Sequence, residues 1–364
     1  MLTVIEESTQ LRKVPPVRDT DIIRIATQSS ITIVSHLHYY ADRIIDLYHY
    51  RKLLSIGDYI KVASAQRTLK PKEIIKNTVE LVEDIQQEQE ESEISGNEAL
   101  DEFIQDYDDI ISGKKTPSIK TGFNELDQTI GGWQGPDLIM IAGRPGMGKT
   151  AVSMQMMMHA CTLQKKALVF SLEMSKIQLI QRLISSHGGF SSFDLREGKV
   201  DTQSILPIIH QLRQHLKYMH IDDSSFINID HIRERTKEIQ PDIIMLDYVQ
   251  LIKGDDQTTG RNYQLNEISN SLKQTAKEYN IPILCLSQLN RSSDDRKNKR
   301  PRMSDLKDSG SLEQDADLVV LLYRDSYYHE NVGNETELII SKNRHGPTGT
   351  INIQFDSTRV TFTN

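Results

Sequence analysis

Residues 143–150 read "GRPGMGKT", which fits the pattern G-x-x-x-x-G-K-[ST]. The stretch lies between an apolar run, "DLIMIA", and a helix-like segment, "TAVSMQMMMHA". A strand, a glycine-rich turn and a helix in that order make a cradle for phosphate. Backbone N–H groups curl around the oxygens, and the helix N-terminus adds partial positive charge. Arg144, Pro145, Gly146, Met147 and Gly148 form the turn, Lys149 is positioned to reach the outer phosphates, and Thr150 is a candidate Mg²⁺ ligand.

Other apolar runs end in residues with matching chemistry. "PDIIMLD" ends at Asp247, a carboxylate suited to the Mg²⁺ shell. "LVFSLEM" brings Glu173 to a strand end, where a carboxylate can orient and deprotonate water; a surface glutamate opening a helix is the alternative. "CLSQLNR" puts Gln288 just past another strand, as a γ-phosphate sensor or a plain strand-end glutamine. Near the end, "SKNRHGPTG" sets Lys342 and Arg344 two residues apart before a Gly-Pro turn. In a strand those side chains share a face, so two cations leave one sheet edge toward an anion of this chain or of a neighbour.

The elements that must position these groups follow from the apolar pattern. "DLIMIAG", "KALVFSLE", "PDIIMLD", "IPILCLSQ" and "ADLVVLLYR" alternate with helical segments. Continuous apolar strands between helices predict an α/β domain with a mostly parallel, buried central sheet. "INIQF" and "RVTFT" predict a closing antiparallel hairpin. This domain spans residues 118–364. Residues 1–82 read as a small helical region, with Ile44, Ile45, Tyr48, Leu53, Ile56 and Ile60 at near-helical spacing and Pro71 opening a further helix.

Residues 83–117 form an acidic linker. Positions 83–109 hold twelve Asp or Glu and no Lys or Arg, more than the whole chain's net charge of −8. Within it, Leu100, Phe103, Ile104, Tyr107, Ile110 and Ile111 make one apolar stripe on a helix, for its own domain or for a neighbouring subunit. Residues 291–302, "RSSDDRKNKRPR", reverse the balance with six Lys or Arg against two Asp. A long polar loop of this kind suits contact with a phosphate backbone; a solvated loop is the alternative. Cys161 and Cys285 lie far apart in apolar runs and read as reduced core residues. The start, "MLTVIEESTQLRKVPPVRD", lacks a long apolar stretch, so no secretory leader is expected, and no run of about 18 apolar residues suits a membrane span. A cytoplasmic location is expected, or an organelle interior such as a plastid.

"TGFNELDQTIGGWQGPDLIMIAGRPGMGKTAVSMQ", "FSLEM", "IIMLDYVQLI", "LSQLNR", "DLKDSGSLEQDADLVVLLYR" and "SKNRHGPTG" follow one another in the order and spacing of the DnaB-type replicative DNA helicases, which the chain resembles over residues 118–364. The resemblance implies a RecA-like ATPase motor, ATP and Mg²⁺ as cofactors, a homo-hexameric ring, and 5′→3′ travel on single-stranded DNA. It implies that Glu173 is the catalytic glutamate, Asp247 the Mg²⁺-side aspartate and Gln288 the conformational glutamine. Lys307, Asp308 and Gly310 fall where the family's loop grips DNA. Arg344 matches an arginine finger acting on the adjacent subunit's nucleotide, with Lys342 as companion. Residues 100–111 match the family's linker helix. The front of the chain resembles only the last helical hairpin of the usual amino-terminal domain. A shortened amino-terminal region is therefore expected, which puts collar formation and contact with primase or a loader in question. Two other readings remain: a strand-coating ATPase of recombination or repair, which filaments in ATP would favour, and a factor that binds and modulates another helicase ring.

Overall fold

The computed structural model describes residues 34–67, 69–90, 96–252, 261–290, 294, 296, 298–306, 310–329 and 332–364. The chain divides into two compact units, Met1–Asp108 and Asp109–Asn364. In the first, α1 (Val34–Gln66) and α2 (Pro71–Glu90) form a helical hairpin. Pro71 opens α2 where its missing N–H costs no helical bond, and the Glu73 carboxylate accepts the Lys70 amide at 2.9 Å. Ile56, Ala63 and Ile74 are buried, and Asn77 donates to the Tyr59 hydroxyl at 3.0 Å across the hairpin. Helix α3 (Gly96–Ile111) follows. Its predicted stripe is real as a helical face, and Leu100, Phe103, Ile104, Tyr107 and Ile111 are exposed on it.

The second unit is built on a nine-stranded sheet in the order β3-β2-β4-β5-β1-β6-β7-β8-β9. Strands β1 (Leu138–Gly143), β2 (Ala167–Ser171), β3 (Met219–Asp222), β4 (Ile243–Asp247), β5 (Ile283–Gln288) and β6 (Leu318–Arg324) run parallel. β7 (Glu335–Asn343), β8 (Gly349–Asp356) and β9 (Thr361–Thr363) continue antiparallel from β6. The predicted closing hairpin is thus β8–β9, and it joins the main sheet. One strand has no counterpart in the predicted set, β3, only four residues long; β7 extends the strand expected at Lys342 back to Glu335.

Side chains alternate between two cores, as the pleat requires. Ile139, Ile141, Val169, Met245, Leu284 and Leu286 face one cluster, with Met154, Met157 and Met158 of α5 (Lys149–Thr162). Met140, Ala142, Phe170, Leu246, Cys285 and Leu321 face the other, with Ile232 of α9 (Ile229–Ile239) and Ile268 and Leu272 of α10 (Arg261–Tyr279). Between them in sequence lie α4 (Asn124–Ile130), which precedes β1, and α6 (Lys176–Gly188), α7 (Ser192–Arg196) and α8 (Thr202–Leu216), which connect β2 to β3. Both cysteines are free and buried. Burial pushes the Cys161 thiol up to about 12 and raises that of Cys285, so neither is an activated nucleophile.

Phe170 is fully buried in the second cluster. Phe170→Ala should lower the stability of the unit by about 3–5 kcal/mol, read as a fall in the urea midpoint with an unchanged slope. A loss within error of zero would mean that this face of the sheet is not a packed core.

Candidate nucleotide site and its distant cations

Parallel strands bring their C-terminal ends to one sheet edge, and most of the expected site collects there. β1 ends at Gly143, the loop turns, and Lys149 opens α5. Gly146 and Gly148 take φ of 77° and 99°, a left-handed conformation that favours glycine. A Cβ at Gly148 would come within 2.7 Å of Phe362, and one at Gly146 within 3.1 Å of Tyr327. Met147 turns its side chain into the core, so its contribution to a phosphate cradle is its backbone. The Lys149 ammonium donates to the carbonyls of Gly143 at 2.9 Å and Arg144 at 3.3 Å. Burial holds its pKa below the ordinary lysine range, against the attraction of Asp247 and Glu173.

Asp247 ends β4 almost completely buried, at 1% exposure, and accepts the Thr150 hydroxyl at 2.8 Å. Burial raises its pKa, and the nearby charge of Glu173 adds to this, while the Thr150 hydrogen bond, Lys149 and Arg182 oppose it. A hydroxyl and a carboxylate this close are hard oxygen donors. They fit Mg²⁺, which takes one or two protein oxygens and completes its shell with phosphate and water. Glu173 lies exposed two residues beyond β2, near enough for its charge to act on Lys149, Asp247 and Arg182. Gln288 pairs in register with Gly143, beside the start of the phosphate loop, and its backbone N–H donates to the Gln250 side-chain carbonyl at 3.5 Å. The structure therefore brings Lys149, Thr150, Glu173, Asp247 and Gln288 to one edge.

Sequence reasoning missed Arg182. It lies on α6, half-buried, and burial lowers its pKa against the pull of Asp247 and Glu173. An arginine on a mixed helix carries no local signal of such a role. Arg144 also differs from a simple phosphate ligand. Its side chain leaves the loop sideways, donating to the Leu289 carbonyl at 3.1 Å and pairing with Asp294 at 2.6 Å.

Lys342 and Arg344 lie at the opposite edge. β7 runs antiparallel to β6, with Lys342 opposite Val319 and Asn343 opposite Leu318, whereas Gly143 is level with Leu322. At ~3.3 Å per residue, Lys342 is set back from the level of Gly143 by about 10 Å and Arg344 by about 16 Å along the strands, and both stand two strands away from β1. They do share a face: Lys342 donates to the carbonyls of Glu313 at 2.7 Å and Gln314 at 3.0 Å, and Arg344 to that of Gln314 at 3.0 Å. Both carbonyls belong to α11 (Gly310–Asp315), whose C-terminal end favours cations. Arg344 also pairs with Asp317 at 2.9 Å while remaining 49% exposed. Asp317 lies beneath, accepting the Leu138 amide at 2.9 Å and the Lys273 ammonium at 2.5 Å. Its burial alone would raise its pKa, but these hydrogen bonds and the Lys273 and Arg344 charges hold it below the usual carboxylate range. Next to it, His345 meets Asp137 at 2.9 Å. The anion for Arg344 within this chain is thus Asp317.

The basic loop is matched internally more than its composition suggests. Arg296 pairs with Asp305. Arg300 pairs with Glu337 of β7 and lies over the Tyr323 ring, and Lys299 lies over Tyr328. These three side chains have partners within the chain, Asp305 nearby in sequence and Glu337 and Tyr328 farther on, while the Arg300 side chain stays 50% exposed. Lys307 and Asp308 lie outside the described residues. Gly310 is the first residue of α11.

The family described as DnaB-like helicase C terminal domain matches residues 118–364. The chain is 43% identical over 253 residues to "Replicative DNA helicase DnaB" of Buchnera aphidicola subsp. Baizongia pistaciae, covering 67% of this chain and 55% of that protein. It is 39% identical over 271 residues to the protein of that name from Geobacillus stearothermophilus, covering 70% and 59%. The chain thus spans little more than half the length of these curated relatives. It also resembles a solved structure described as a DnaB-like replicative helicase and its interactions with primase, at a TM-score of 0.74 and 29% identity, over 92% of this chain and 80% of that one.

Asp317 offers a test of the far edge. Its pKa is lowered on folding, so its contribution to stability is complete above the unfolded value of ~3.9 and is lost as pH falls through the folded value. Asp317→Asn should cost on the order of 2 kcal/mol near neutral pH. The gap to the parent protein should narrow below pH ~4 in urea titrations. A gap that persists unchanged into acid would show that the charge of Asp317 is not what holds this edge.

Proposed function

The chain belongs to the DnaB-like helicase family, and from that premise we propose that it is an ATP-dependent replicative DNA helicase that travels 5′→3′ on single-stranded DNA as a ring hexamer. One observation carries this reading: the phosphate-loop residues lie at one sheet edge, and Lys342 and Arg344 lie at the other. A finger that far from its own nucleotide has work only at a neighbour's, and a head-to-tail contact that closes on itself makes a ring.

In this reading Glu173 orients the attacking water and takes its proton, and Gln288 senses the γ-phosphate beside the loop. Thr150 and Asp247 hold Mg²⁺, which when bound neutralises charge on the phosphate oxygens. Arg344, with Lys342, leaves Asp317 or extends past it to meet the γ-phosphate of the adjacent protomer. Such a finger is worth roughly 10³–10⁵ in rate in well-studied nucleotide hydrolases. Lys307, Asp308 and Gly310 contact the DNA backbone, the exposed stripe of α3 docks on a neighbouring protomer, and primase and a helicase loader are candidate partners whose contact the amino-terminal region leaves in question. The expected location is the cytoplasm or an organelle interior.

The test is strand displacement on forked duplexes carrying a single-stranded tail of either polarity, with ATP and Mg²⁺. The proposal expects displacement that requires the 5′ tail, and none with Lys149→Ala, which should also lose ATP turnover. DNA-stimulated hydrolysis without displacement from either tail would contradict unwinding by this chain and favour the strand-coating alternative.

A further inference from the structure

The phosphate loop is tied to the segment that leads into the expected DNA contact, and the tie runs through residues with no assigned role. Beyond the end of β5, the Leu289 amide donates to the Gly143 carbonyl at 3.3 Å, and the Leu289 carbonyl accepts the Arg144 guanidinium. On its other side Leu289 pairs with Leu306 in an isolated antiparallel bridge, and the Asn290 amide donates to the Asp305 carbonyl at 2.9 Å. Leu289 and Asn290 are therefore held between the loop that would hold phosphate and residues 305–306, which immediately precede Lys307.

Asp294 locks this arrangement. One carboxylate oxygen pairs with Arg144, and the other accepts the Tyr328 hydroxyl at 2.8 Å. Tyr328 follows the short helical turn Asp325–Tyr327 after β6. That connection also touches the phosphate loop: Arg324 donates to the Gly146 carbonyl at 3.1 Å, and the Tyr327 ring packs at Gly146. The Arg144 side chain is 15% exposed and that of Asp294 30%. The pair is thus partly sheltered from water, and removing one partner leaves the other charge under-compensated, which is why a second variant that keeps the ion pair is needed.

We propose that Asp294 and Tyr328 are positioning residues. They hold the Arg144 guanidinium on Asp294 and the Leu289 carbonyl, so that a shift of the phosphate loop on nucleotide binding moves Leu289 and, through its bridge to Leu306, the approach to the DNA contact. The coupling is reciprocal, as linkage demands: DNA that prefers one position of the segment favours the matching nucleotide state. The Asp294 carboxylate is taken up by Arg144 and Tyr328, and as an anion it is not a ligand for phosphate. Its removal should therefore uncouple the two sites without emptying either one. This inference rests on the proposed DNA-translocating function.

The experiment measures the affinity of the full chain for a fluorescein-labelled oligo-dT strand in ADP and in a non-hydrolysable ATP analogue. A fluorescent ADP and basal ATP hydrolysis without DNA serve as parallel readouts. In Asp294→Ala and Tyr328→Phe the ratio of the two DNA affinities should collapse toward one, a loss of about fivefold or more. Nucleotide affinity and basal hydrolysis should stay near the parent values, and Asp294→Glu should recover part of the ratio. Tyr328→Phe keeps the ring and guards against a folding defect in the alanine variant. A parental ratio in both variants would overturn the inference, as would lost nucleotide affinity with an unchanged ratio. A parent protein whose DNA affinity ignores nucleotide would overturn the proposed function itself and the inference with it.

Discussion

One constraint organises this molecule. In a parallel sheet every strand ends at the same edge, so every loop that follows a strand can converge on one ligand. Six strands obey that rule here, and the chain then turns back antiparallel at β7. The reversal carries Lys342 and Arg344 to the edge where the parallel strands begin. A single sheet thus separates the phosphate loop from the cations by its own height. The two sets of charged residues therefore cannot meet within one chain, and the proposed sharing of a site between copies follows from that separation.

The electrostatics of each edge fit this division. At the phosphate-loop edge burial works against charge: it lowers Lys149 and Arg182 and raises Asp247. Charges held at such a cost in a partly dry site are arranged for a further charged ligand, because little reorganisation remains when one arrives. At the other edge the balance is complete within the chain. Asp317 is held charged by Lys273, Arg344 and the Leu138 amide. Arg344 is anchored on a buried carboxylate yet half exposed, so its geometry is fixed in advance while its outer donors face solvent.

Much of this was legible in the sequence, for physical reasons. Five of the parallel strands announce themselves because both of their faces are buried, which demands unbroken apolar runs. The loop at 143–150 is legible because phosphate binding needs glycine where φ is positive and a Lys-Thr pair at the helix start. β3 was not legible because four residues at a sheet edge need no apolar run. β7 was legible only near Lys342, because its earlier part meets Arg300 through Glu337. Arg182, Asp294 and Asp317 act only through partners distant in sequence, such as Tyr328 for Asp294. A faint signal did exist for Asp317: Asp137, Asp242 and Asp317 each stand just before an apolar strand. The structure uses them as staples, Asp242 on the Lys166 amide at 2.7 Å, Asp317 on Leu138 and Asp137 on His345.

The central claim is that the two half-sites meet only between copies. The most direct measurement mixes two inactive proteins, one carrying Lys149→Ala and the other Arg344→Ala, and follows ATP hydrolysis on single-stranded DNA. The first retains a working finger and the second a working phosphate loop. If the site is shared, mixed assemblies contain interfaces with both halves intact, and hydrolysis should rise well above the sum of the separate proteins. A mixture that hydrolyses no faster than that sum, in assemblies shown to exchange subunits, would contradict the account.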